Sequence, residues 1–547
     1  MVWDFSDRPR TNVLWVGQVV PPEVKSFLQR LKFFILDSSY IAKLKDDGFL
    51  RYVAAVVFVQ DENNSEAVAS DLQWYVKKLL DYDCLVIVLA ASKVSGTAVN
   101  NLAIITNALH RLKIPSLWPT SADQFDSFDG DNEPVRQSKY GAPKPPFVSV
   151  YRDPLSVEII ADLLVRYNQR PAPALDDPIS FKITGPGVGE FKSDHRLMLR
   201  RSFHDCAEVH VSCLPGGKSG IPVYIAHATT SGGRPLPFFV KVGSRNEIIH
   251  EWLNYIKLVR PFIPFHLAPH LVPERCALGA HTGIIVGDFI EDAESLAECA
   301  RRGRAITSIS SLFDRTLRGW HRTPKERSGV LYKVLGGLLS HNTNEFQPRY
   351  LNAKKLGAKH TLEELKARLQ QRIDEKQLWS RIHGDLHAEN VHVRGGEAIL
   401  IDFLAGREEG LLLGDHAALE VSIAIRVPRT DIDNKISNAE WERVVRPLYT
   451  LDTLLNHPSF TDPTEPYSWL DACIRKIRLY ALPMQIGKDQ YAHILAYYLL
   501  QAAIKDPLPK VSEKDSLPKN LVDEDYRRTI AYCLAEDLIL NTIPNNK

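Results

Sequence analysis

The chain has 547 residues, 44% of them hydrophobic and 24% charged, which predicts two or three globular domains because a single core rarely grows this large. Its 67 Lys and Arg residues balance 66 Asp and Glu residues, and the formal net charge of +1 argues against a nucleic-acid partner. A charged amino terminus, 7 scattered cysteines and the lack of an apolar run approaching a bilayer span of about 20 residues favour a cytoplasmic protein outside the membrane.

The first stretch of the chain, from Thr11 to about Pro119, alternates short apolar runs with helical patterns. Because the runs are continuous, they are typical of strands in a parallel sheet that helices cover on both faces. We expect an α/β domain over residues 1–175 with a flavodoxin-like or receiver-like sheet, and a last helix within residues 144–170. The predicted strands are Val13–Val16, Phe33–Leu36, Val53–Val59, Cys84–Ala90 and Ile114–Trp118.

The residues that follow these strands do not complete a phosphoacceptor site. A phosphorylated receiver needs an acidic pair after the first strand, an Asp after the third and a Lys after the fifth, but only Asp61 and Ser92 stand near such places. We therefore expect a module that senses or docks a protein partner, with a phosphorylated receiver as the alternative. Residues 121–147 are predicted to form an exposed loop, and residues 170–180 a proline-containing linker.

A glycine-rich loop lies between two further predicted strands, Ala207–Val211 and Val223–Ala228. Glycines let backbone N–H groups approach the phosphates of a nucleotide closely. The letters G-K-S in the loop do not make a Walker A motif, because position 212 is Ser instead of Gly and a strand pattern follows. A plain hairpin turn is the alternative. The loop residues that would cover a nucleotide are Gly216, Gly217, Ser219 and Gly220.

Lys241 stands inside the apolar strand pattern Pro237–Val242, where an unpaired ammonium group would be costly. Its expected partners are the α- and β-phosphates of a nucleotide and a glutamate from the next helix. That helix is predicted over Asn246–Val259, and it carries Glu247 and Glu251 one turn apart. Its predicted apolar stripe consists of Ile249, Trp252, Ile256 and Val259.

After this helix, residues 283–290 are predicted to form a strand that either leads into a hinge contacting adenine or is an ordinary core strand. Residues 291–380 are dominated by helical patterns, including a capping box at Thr361 and Glu364. Two later helices are predicted over Tyr491–Ile504 and Tyr526–Leu540, with core stripes that include Tyr491, Ile494, Leu495, Tyr498 and Leu499.

Residues 381–403, RIHGDLHAENVHVRGGEAILIDF, hold the polar residues with the clearest chemical pattern. Asp385 and Asn390 belong to an H-x-D-x-x-x-x-N motif, and a hairpin turned by a Gly-Gly pair would bring Asp402 back beside them. Phosphoryl transfer to a hydroxyl needs a carboxylate beside the attacking oxygen, plus a carboxylate and an amide oxygen that hold Mg²⁺. Asp385 fits the first requirement, and Asn390 and Asp402 fit the second.

The segments HGDLHAEN and LIDF resemble the catalytic and metal loops of the aminoglycoside phosphotransferase and choline kinase family, the small-molecule branch of the protein-kinase-like fold. His387 supports this branch, since eukaryotic-type protein kinases usually have Lys there, whereas Leu404 departs from the protein-kinase Gly. His383 and His387 lack a third ligand nearby, which argues against a zinc site. We assign His383 to bracing the catalytic loop. The glycine loop and GDLH also resemble the ternary complex associated domain 9 family, kinase-like modules of bacterial conflict and signalling systems.

The resemblance implies a bilobal kinase-like domain over residues 176–547, with an α+β N-lobe at about 181–290 and a largely helical C-lobe at about 291–547. It implies ATP and Mg²⁺ as cofactors, and it favours Glu251 over Glu247 as the partner of Lys241. It also suggests that Asp415 orients the catalytic loop from behind, with a simple helix N-cap as the alternative.

The expected function is ATP- and Mg²⁺-dependent transfer of the γ-phosphate to a hydroxyl of a small molecule, in a bacterial signalling or conflict system. One alternative is a nucleotide-sensing regulatory module of a multi-protein signalling or defence system, which would dock a protein partner through the N-terminal domain. The other alternative is a protein kinase, whose acceptor would be a hydroxyl of a partner protein.

Overall fold

The structure is a computed structural model in which the chain divides into two compact units. The first unit consists of residues 1–252 and 270–289, and the second of residues 253–269 and 290–547. The division of the sequence at residue 175 stays a prediction. The structure describes residues 11–16, 20–30, 33–37, 55–60, 85–90, 116–121, 124–128, 148–151, 180–184, 193–203, 206–213, 223–230, 233, 236–272, 275–278, 282–340, 343–371, 375–428, 437–456, 467–505 and 519–543.

The amino-terminal part of the first unit contains a mainly parallel sheet. Its described strands are β1 (Thr11–Val16), β2 (Phe33–Asp37), β3 (Ala55–Gln60), β4 (Leu85–Ala90), β5 (Ser116–Ser121), β6 (Gln124–Phe128) and β7 (Val148–Tyr151). They lie in the order β2-β1-β3-β4-β7-β5-β6. Neighbours pair in parallel except β5 and β6, and the helix α1 (Pro22–Arg30) buries Val24 and Leu28.

The strand beside β4 is Val148–Tyr151, at the start of the stretch predicted to contain the last helix, and Ser116–Ser121 pairs on its other side. One prediction for this sheet was wrong in part. The predicted loop 121–147 begins with the strand Gln124–Phe128, because a strand at the edge of a sheet tolerates polar residues that hide its pattern. Asp61, Ser92 and most of the predicted last helix and linker lie outside the described residues.

The second sheet of this unit is mainly antiparallel. Its strands are β8 (Ser180–Thr184), β9 (Cys206–Cys213), β10 (Val223–Thr230), β11 (Leu236–Ser244), β12 (Ala277–Leu278) and β13 (Thr282–Asp288). They lie in the order β12-β13-β11-β10-β9-β8, with only β8 and β9 parallel among the described pairs. Val211 and Val240 on the sheet and Leu199 on the helix α2 (Ser193–Ser202) are fully buried in one core.

The helix after β11 differs from its prediction in length and in its buried face. Helix α3 (Arg245–Asn254) ends earlier, and a π-helical turn continues over Tyr255–Val259. The most buried positions include Ile248, Glu251 and Asn254, whereas Ile249, Trp252 and Ile256 of the predicted stripe are half-buried. Of the stripe, Val259 is buried as predicted. The rest differs because Glu251 and Asn254 are polar residues on the buried face, so hydrophobicity alone does not reveal that face.

The second unit is largely helical, with two small sheets, β14-β17-β18 and β15-β16-β19. The strands are β14 (Glu294–Ser295), β15 (Lys325–Gly329), β16 (Glu375–Ile382), β17 (Val391–Arg394), β18 (Glu397–Leu400) and β19 (Arg407–Leu411). The described helices are α4 (Leu296–Arg301), α5 (Ala305–Ser311), α6 (Arg318–His321), α7 (Leu331–Leu335), α8 (Thr343–Lys355), α9 (Leu362–Gln370), α10 (Leu412–Val421), α11 (Asn438–Leu448), α12 (Leu451–Asn456), α13 (Ser468–Ala481), α14 (Gln490–Ile504) and α15 (Lys519–Thr542).

The core of the second unit lies between helices α10, α14 and α15 and their neighbours. The capping box predicted at Thr361 and Glu364 forms at the start of α9. Of the predicted α14 stripe, Ile494 and Leu499 are fully buried, whereas Tyr498 is only half-buried. Among the helices that the structure describes, none is long and apolar enough to cross a membrane.

Candidate functional site

A hairpin in the second unit holds the predicted catalytic and metal residues. Strands β17 and β18 pair from Val391 opposite Leu400 to Arg394 opposite Glu397. The turn residues Gly395 and Gly396 have positive φ angles of 59° and 84°. Such angles are needed in the tight two-residue turn whose twist matches that of the paired strands. The predicted hairpin therefore forms. Asp402 follows β18 in the left-handed region at φ 62°, a conformation that is uncommon outside glycine and turns the chain sharply after the strand.

Asp415 holds the start of the catalytic loop through two backbone hydrogen bonds. Its Oδ2 accepts from the His383 N–H at 2.7 Å and its Oδ1 from the Gly384 N–H at 2.9 Å. The carboxylate is 1% exposed, and burial raises its pKa. Helix α10 begins at Leu412, so Asp415 lies inside the first turn and is not its N-cap. Of the two roles considered for Asp415, the contacts match orientation of the loop from behind.

Gly384 is required at the point where this loop turns. Its φ angle is 77°, and a Cβ atom there would lie 2.3 Å from the carbonyl oxygen of Ala405. A side chain would meet both a strained backbone and another part of the chain. The loop therefore packs directly against the segment that follows Asp402.

The His383 side chain connects the same two segments. The ring is fully buried, and its Nε2 donates to the carbonyl oxygen of Ile401 at 2.9 Å. The ring also packs against Phe403, with the ring centroids 5.8 Å apart. These contacts fix the residues on either side of Asp402, so they support the bracing role that was predicted for His383.

Asp385 and Asn390 lie close together with different exposure. The Asp385 side chain is 54% exposed, and its Oδ2 lies 3.8 Å from His387 Nε2. Asn390 is buried, and its Nδ2 donates to the backbone oxygen of Asp385 at 3.0 Å. Because the amide nitrogen is used for this bond, the amide oxygen is the Asn390 atom suited to a cation. Asp385 is thus presented to solvent, where an acceptor hydroxyl can reach it.

Asn254 is a further residue of this site that sequence reasoning did not identify. Its Nδ2 donates to the carbonyl oxygen of Phe403 at 2.8 Å and to that of Gly406 at 3.1 Å. The side chain is buried, and these partners lie 149 and 152 residues away along the chain. Asn254 therefore fixes the backbone immediately after Asp402. An isolated Asn near a helix end gives no local pattern that would reveal such a distant contact.

In the first unit, Lys241 and Glu251 form a buried ion pair. Lys241 Nζ lies 2.7 Å from Glu251 Oε2, and the two side chains are only 6% and 9% exposed. Glu247 has a different role, since its carboxylate accepts from the Ser244 N–H and Oγ–H while its own N–H donates to Ser244 Oγ. These reciprocal bonds are a capping box at the start of α3. Glu251 is therefore the partner of Lys241.

The predicted glycine loop lies outside the described residues. Its flanking strands β9 and β10 pair antiparallel as expected, from Tyr224 opposite Cys213 onwards. The contribution of the loop to a nucleotide site stays a prediction for Gly216, Gly217, Ser219 and Gly220. Likewise, the predicted hinge strand forms as β13 and ends at Asp288, but contact with adenine stays a prediction.

A pocket in the second unit opens beside Asp385. It has an empty volume of about 430 Å³, part of which is open to solvent. We call it the Asp385 pocket, and its lining includes Asp385, His387, Ser422, Arg426, Tyr498 and Lys505. Ser422 also supports the loop, because its Oγ accepts from the Ala388 N–H at 3.1 Å. Tyr498 was predicted as a core residue, and it both packs against the core and lines this pocket.

Residues 266–416 match the family model described as "Phosphotransferase enzyme family". The matched residues include the catalytic loop, the hairpin and Asp415. Over this segment the chain is similar to phosphotransferase enzymes, and the described part of the chain that follows the segment is largely helical.

Solved structures of kinases are similar at low identity. A structure of amicoumacin kinase hAmiN with AMP-PNP, Ca²⁺ and Ami is 14% identical, with 61% of this chain and 89% of that chain covered and a TM-score of 0.34. A thermostable mutant of aminoglycoside phosphotransferase APH(4)-Ia with AMP-PNP and hygromycin B is 9% identical, with 60% of this chain and 93% of that chain covered and a TM-score of 0.34. A glucosamine kinase with glucosamine, ADP and inorganic phosphate is 11% identical, with 64% of this chain and 86% of that chain covered and a TM-score of 0.31. No curated protein matches the chain.

Proposed function

We propose that this protein transfers the γ-phosphoryl group of ATP to a hydroxyl group of a small molecule. The observation that carries the proposal is the hairpin site, in which Asp385 is exposed beside a buried Asn390 and the segment around Asp402 is fixed on both sides. Phosphoryl transfer depends mainly on positioning and on neutralising charge, and a rigid loop with one accessible carboxylate suits that requirement.

Asp385 is proposed as the catalytic carboxylate. It would accept a hydrogen bond from the acceptor hydroxyl and take its proton as the oxygen attacks the γ-phosphorus. Its side chain is 54% exposed, so the acceptor hydroxyl would approach it from solvent. The backbone on which it stands is held by Asp415 and His383, which are positioning residues and do not touch the reacting atoms.

Asn390 and Asp402 are proposed to hold Mg²⁺. A carboxylate and an amide oxygen are hard donors that this cation prefers, and the Nδ2 bond of Asn390 directs its oxygen to that role. Bound Mg²⁺ would neutralise charge on the phosphates of ATP. His383 and Asn254 would keep Asp402 in its left-handed conformation by fixing the carbonyl groups next to it.

Lys241 is proposed to bind the α- and β-phosphates, and Gly216 to Gly220 to cover them. Glu251 would hold the Lys241 ammonium group in place, since the pair is already formed and nearly excluded from solvent. The amino-terminal parallel sheet, with the strand order β2-β1-β3-β4-β7, supports a receiver-like domain as part of this proposal. We propose that this domain docks a protein partner, in keeping with a bacterial signalling or conflict system.

A labelling experiment tests the function and separates its alternatives. The purified chain is incubated with γ-labelled ATP, Mg²⁺ and a small-molecule extract of the cells that produce it. The proposal expects label in a new small molecule. Label on protein would assign the chain as a protein kinase, and ATP binding without transfer would assign it as a nucleotide-sensing module.

A further inference from the structure

The charges that line the Asp385 pocket indicate what kind of acceptor it takes. The charged side chains among the described lining residues are Asp385, Arg426 and Lys505. The carboxylate of Asp385 is assigned to the acceptor hydroxyl. The other two charged residues of the lining, Arg426 and Lys505, are both cationic.

Lys505 stands on a backbone that is firmly held at the end of α14. Its N–H donates to the Gln501 carbonyl oxygen at 2.9 Å, and its own carbonyl oxygen accepts from the buried side chains of Arg349 and Arg528. Arg349 is fixed in turn by Asp525, with 2.7 Å between Nε and Oδ1. The position of Lys505 at the pocket is therefore part of the folded structure.

The same arginines change the electrostatics of this helix end. The carbonyl groups at the carboxyl end of a helix carry partial negative charge, which normally favours a cation. Here Arg349 and Arg528 bind the carbonyl groups of Ala502, Ala503 and Lys505. Because these guanidinium groups satisfy the carbonyl groups, the end of α14 does not offset the positive charge of Lys505.

The other polar groups of the pocket are uncharged donors and acceptors. The Tyr498 hydroxyl lies against Gly414, where a Cβ atom would be 3.0 Å from it. Burial, together with the carboxylates of Asp415 and Asp385, raises the Tyr498 pKa, so its hydroxyl stays protonated at neutral pH. Gln501 and Ser422 complete this part of the lining and can bind sugar-like hydroxyl groups.

We infer that the acceptor is an anionic hydroxyl compound whose carboxylate or phosphate group binds Lys505 and Arg426 while its reacting hydroxyl faces Asp385. The inference rests on the proposed function and names its substrate class. A polycationic amino sugar would place ammonium groups beside two cations, whereas an anion is attracted by them and held away from the Asp385 carboxylate. In the transfer, the hydroxyl oxygen bonds to the γ-phosphorus, the bond to ADP breaks, and Asp385 takes the proton.

The first test uses the charge of the acceptor. A small-molecule extract of the producing cells is separated by ion exchange into anionic, neutral and cationic fractions, and each is incubated with the full chain, γ-labelled ATP and Mg²⁺. We expect the labelled product from the anionic fraction. Prior treatment of that fraction with phosphatase distinguishes the two anions, because it removes a phosphate-bearing acceptor and spares a carboxylate. Label only from the neutral or cationic fraction overturns this inference, and no label from any fraction contradicts the proposed function itself.

The second test uses the pocket cations. Lys505→Glu and Arg426→Glu should each raise the KM for the anionic acceptor at least about tenfold and leave the KM for ATP within about twofold. Lys505→Arg, which keeps the charge but changes the shape of the group, should raise that KM less than Lys505→Glu does. Lys355→Glu, an exposed change on α8, is the matched control for the net charge of the chain. A rise in the KM for ATP instead, or an unchanged KM for the acceptor, would overturn the assignment.

Discussion

The carboxylate of Asp415 accepts the backbone N–H of His383 at 2.7 Å, and its second oxygen accepts the next N–H along the chain. This contact joins the first turn of α10 to the loop that carries Asp385. Both oxygens are used as acceptors, and the group is almost fully buried. The loop that carries Asp385 is therefore held from behind by a buried carboxylate.

Asp415→Asn should reduce kcat with little effect on ATP affinity. The amide supplies one acceptor oxygen, but its NH₂ group faces a backbone N–H that then lacks a partner, so the loop is displaced at one position. We expect a loss of about ten- to a hundredfold in kcat, the effect of a small misplacement of a reacting group. Steady-state transfer rates and ATP binding by calorimetry check this. Equal losses in kcat and ATP affinity would indicate general damage to the fold.

The raised pKa of Asp415 predicts how stability depends on pH. Because burial raises this pKa above its value in the unfolded chain, the folded state keeps the proton to higher pH than the unfolded state. The contribution of Asp415 to stability is thus largest below its unfolded pKa, near 3.9, and declines as pH rises through the folded value. Urea unfolding of the wild type and Asp415→Asn between pH 4 and 7 should show the wild type losing stability relative to the variant. The opposite trend would show that the two N–H bonds lower the pKa more than burial raises it.

Glu251→Gln should weaken ATP binding and transfer, whereas Glu247→Gln should not. Glu251 holds the Lys241 ammonium, so its loss leaves a buried charge with a weaker partner, and we expect the KM for ATP to rise about tenfold. Glu247 caps α3 through Ser244, and a Gln side chain can keep the capping box, so this change should leave stability nearly unchanged. Thermal unfolding and ATP titration of both variants separate the two roles. Similar KM values for ATP in both variants would contradict the assignment.

Gly384→Ala should be much more damaging than Gly395→Ala. Both glycines have positive φ, at 77° and 59°, so both substitutions carry a backbone cost of about 1–2 kcal/mol. Only Gly384 also faces another chain segment, because a Cβ there would lie 2.3 Å from Ala405 O, while nothing is within 4 Å at Gly395. We expect a lower melting temperature and lost transfer for Gly384→Ala, and a small drop in melting temperature alone for Gly395→Ala. Equal effects would show that backbone strain is the only cost.

The parts of the site that sequence reasoning found are those set by short-range patterns. Asp385, Asn390 and the Gly-Gly turn lie close together in the sequence, so local rules were sufficient. Ser244 and Glu247 also spell a capping pattern, which on its own would have removed Glu247 as the partner of Lys241.

The remaining features depend on contacts that no local pattern records. Asn254 contacts carbonyl groups 149 and 152 residues away, and its polarity disguised the buried face of α3. The same holds for Tyr498, which follows the helical stripe of α14 but faces a pocket built from distant segments. In the amino-terminal sheet, the polar strand Gln124–Phe128 was hidden within a predicted loop. These errors arise because burial is decided by tertiary packing, which periodicity predicts only on average.

The most direct measurement is phosphoryl transfer by Asp385→Asn, with Glu363→Gln as a control for an exposed carboxylate. A carboxylate that accepts the hydroxyl proton contributes about a hundredfold to ten-thousandfold in rate. We predict that Asp385→Asn lowers the rate of transfer at least about a hundredfold, while its affinity for ATP and Mg²⁺ stays within about threefold of wild type. The rate of transfer by Glu363→Gln should be unchanged. Transfer by Asp385→Asn at the wild-type rate would contradict the account.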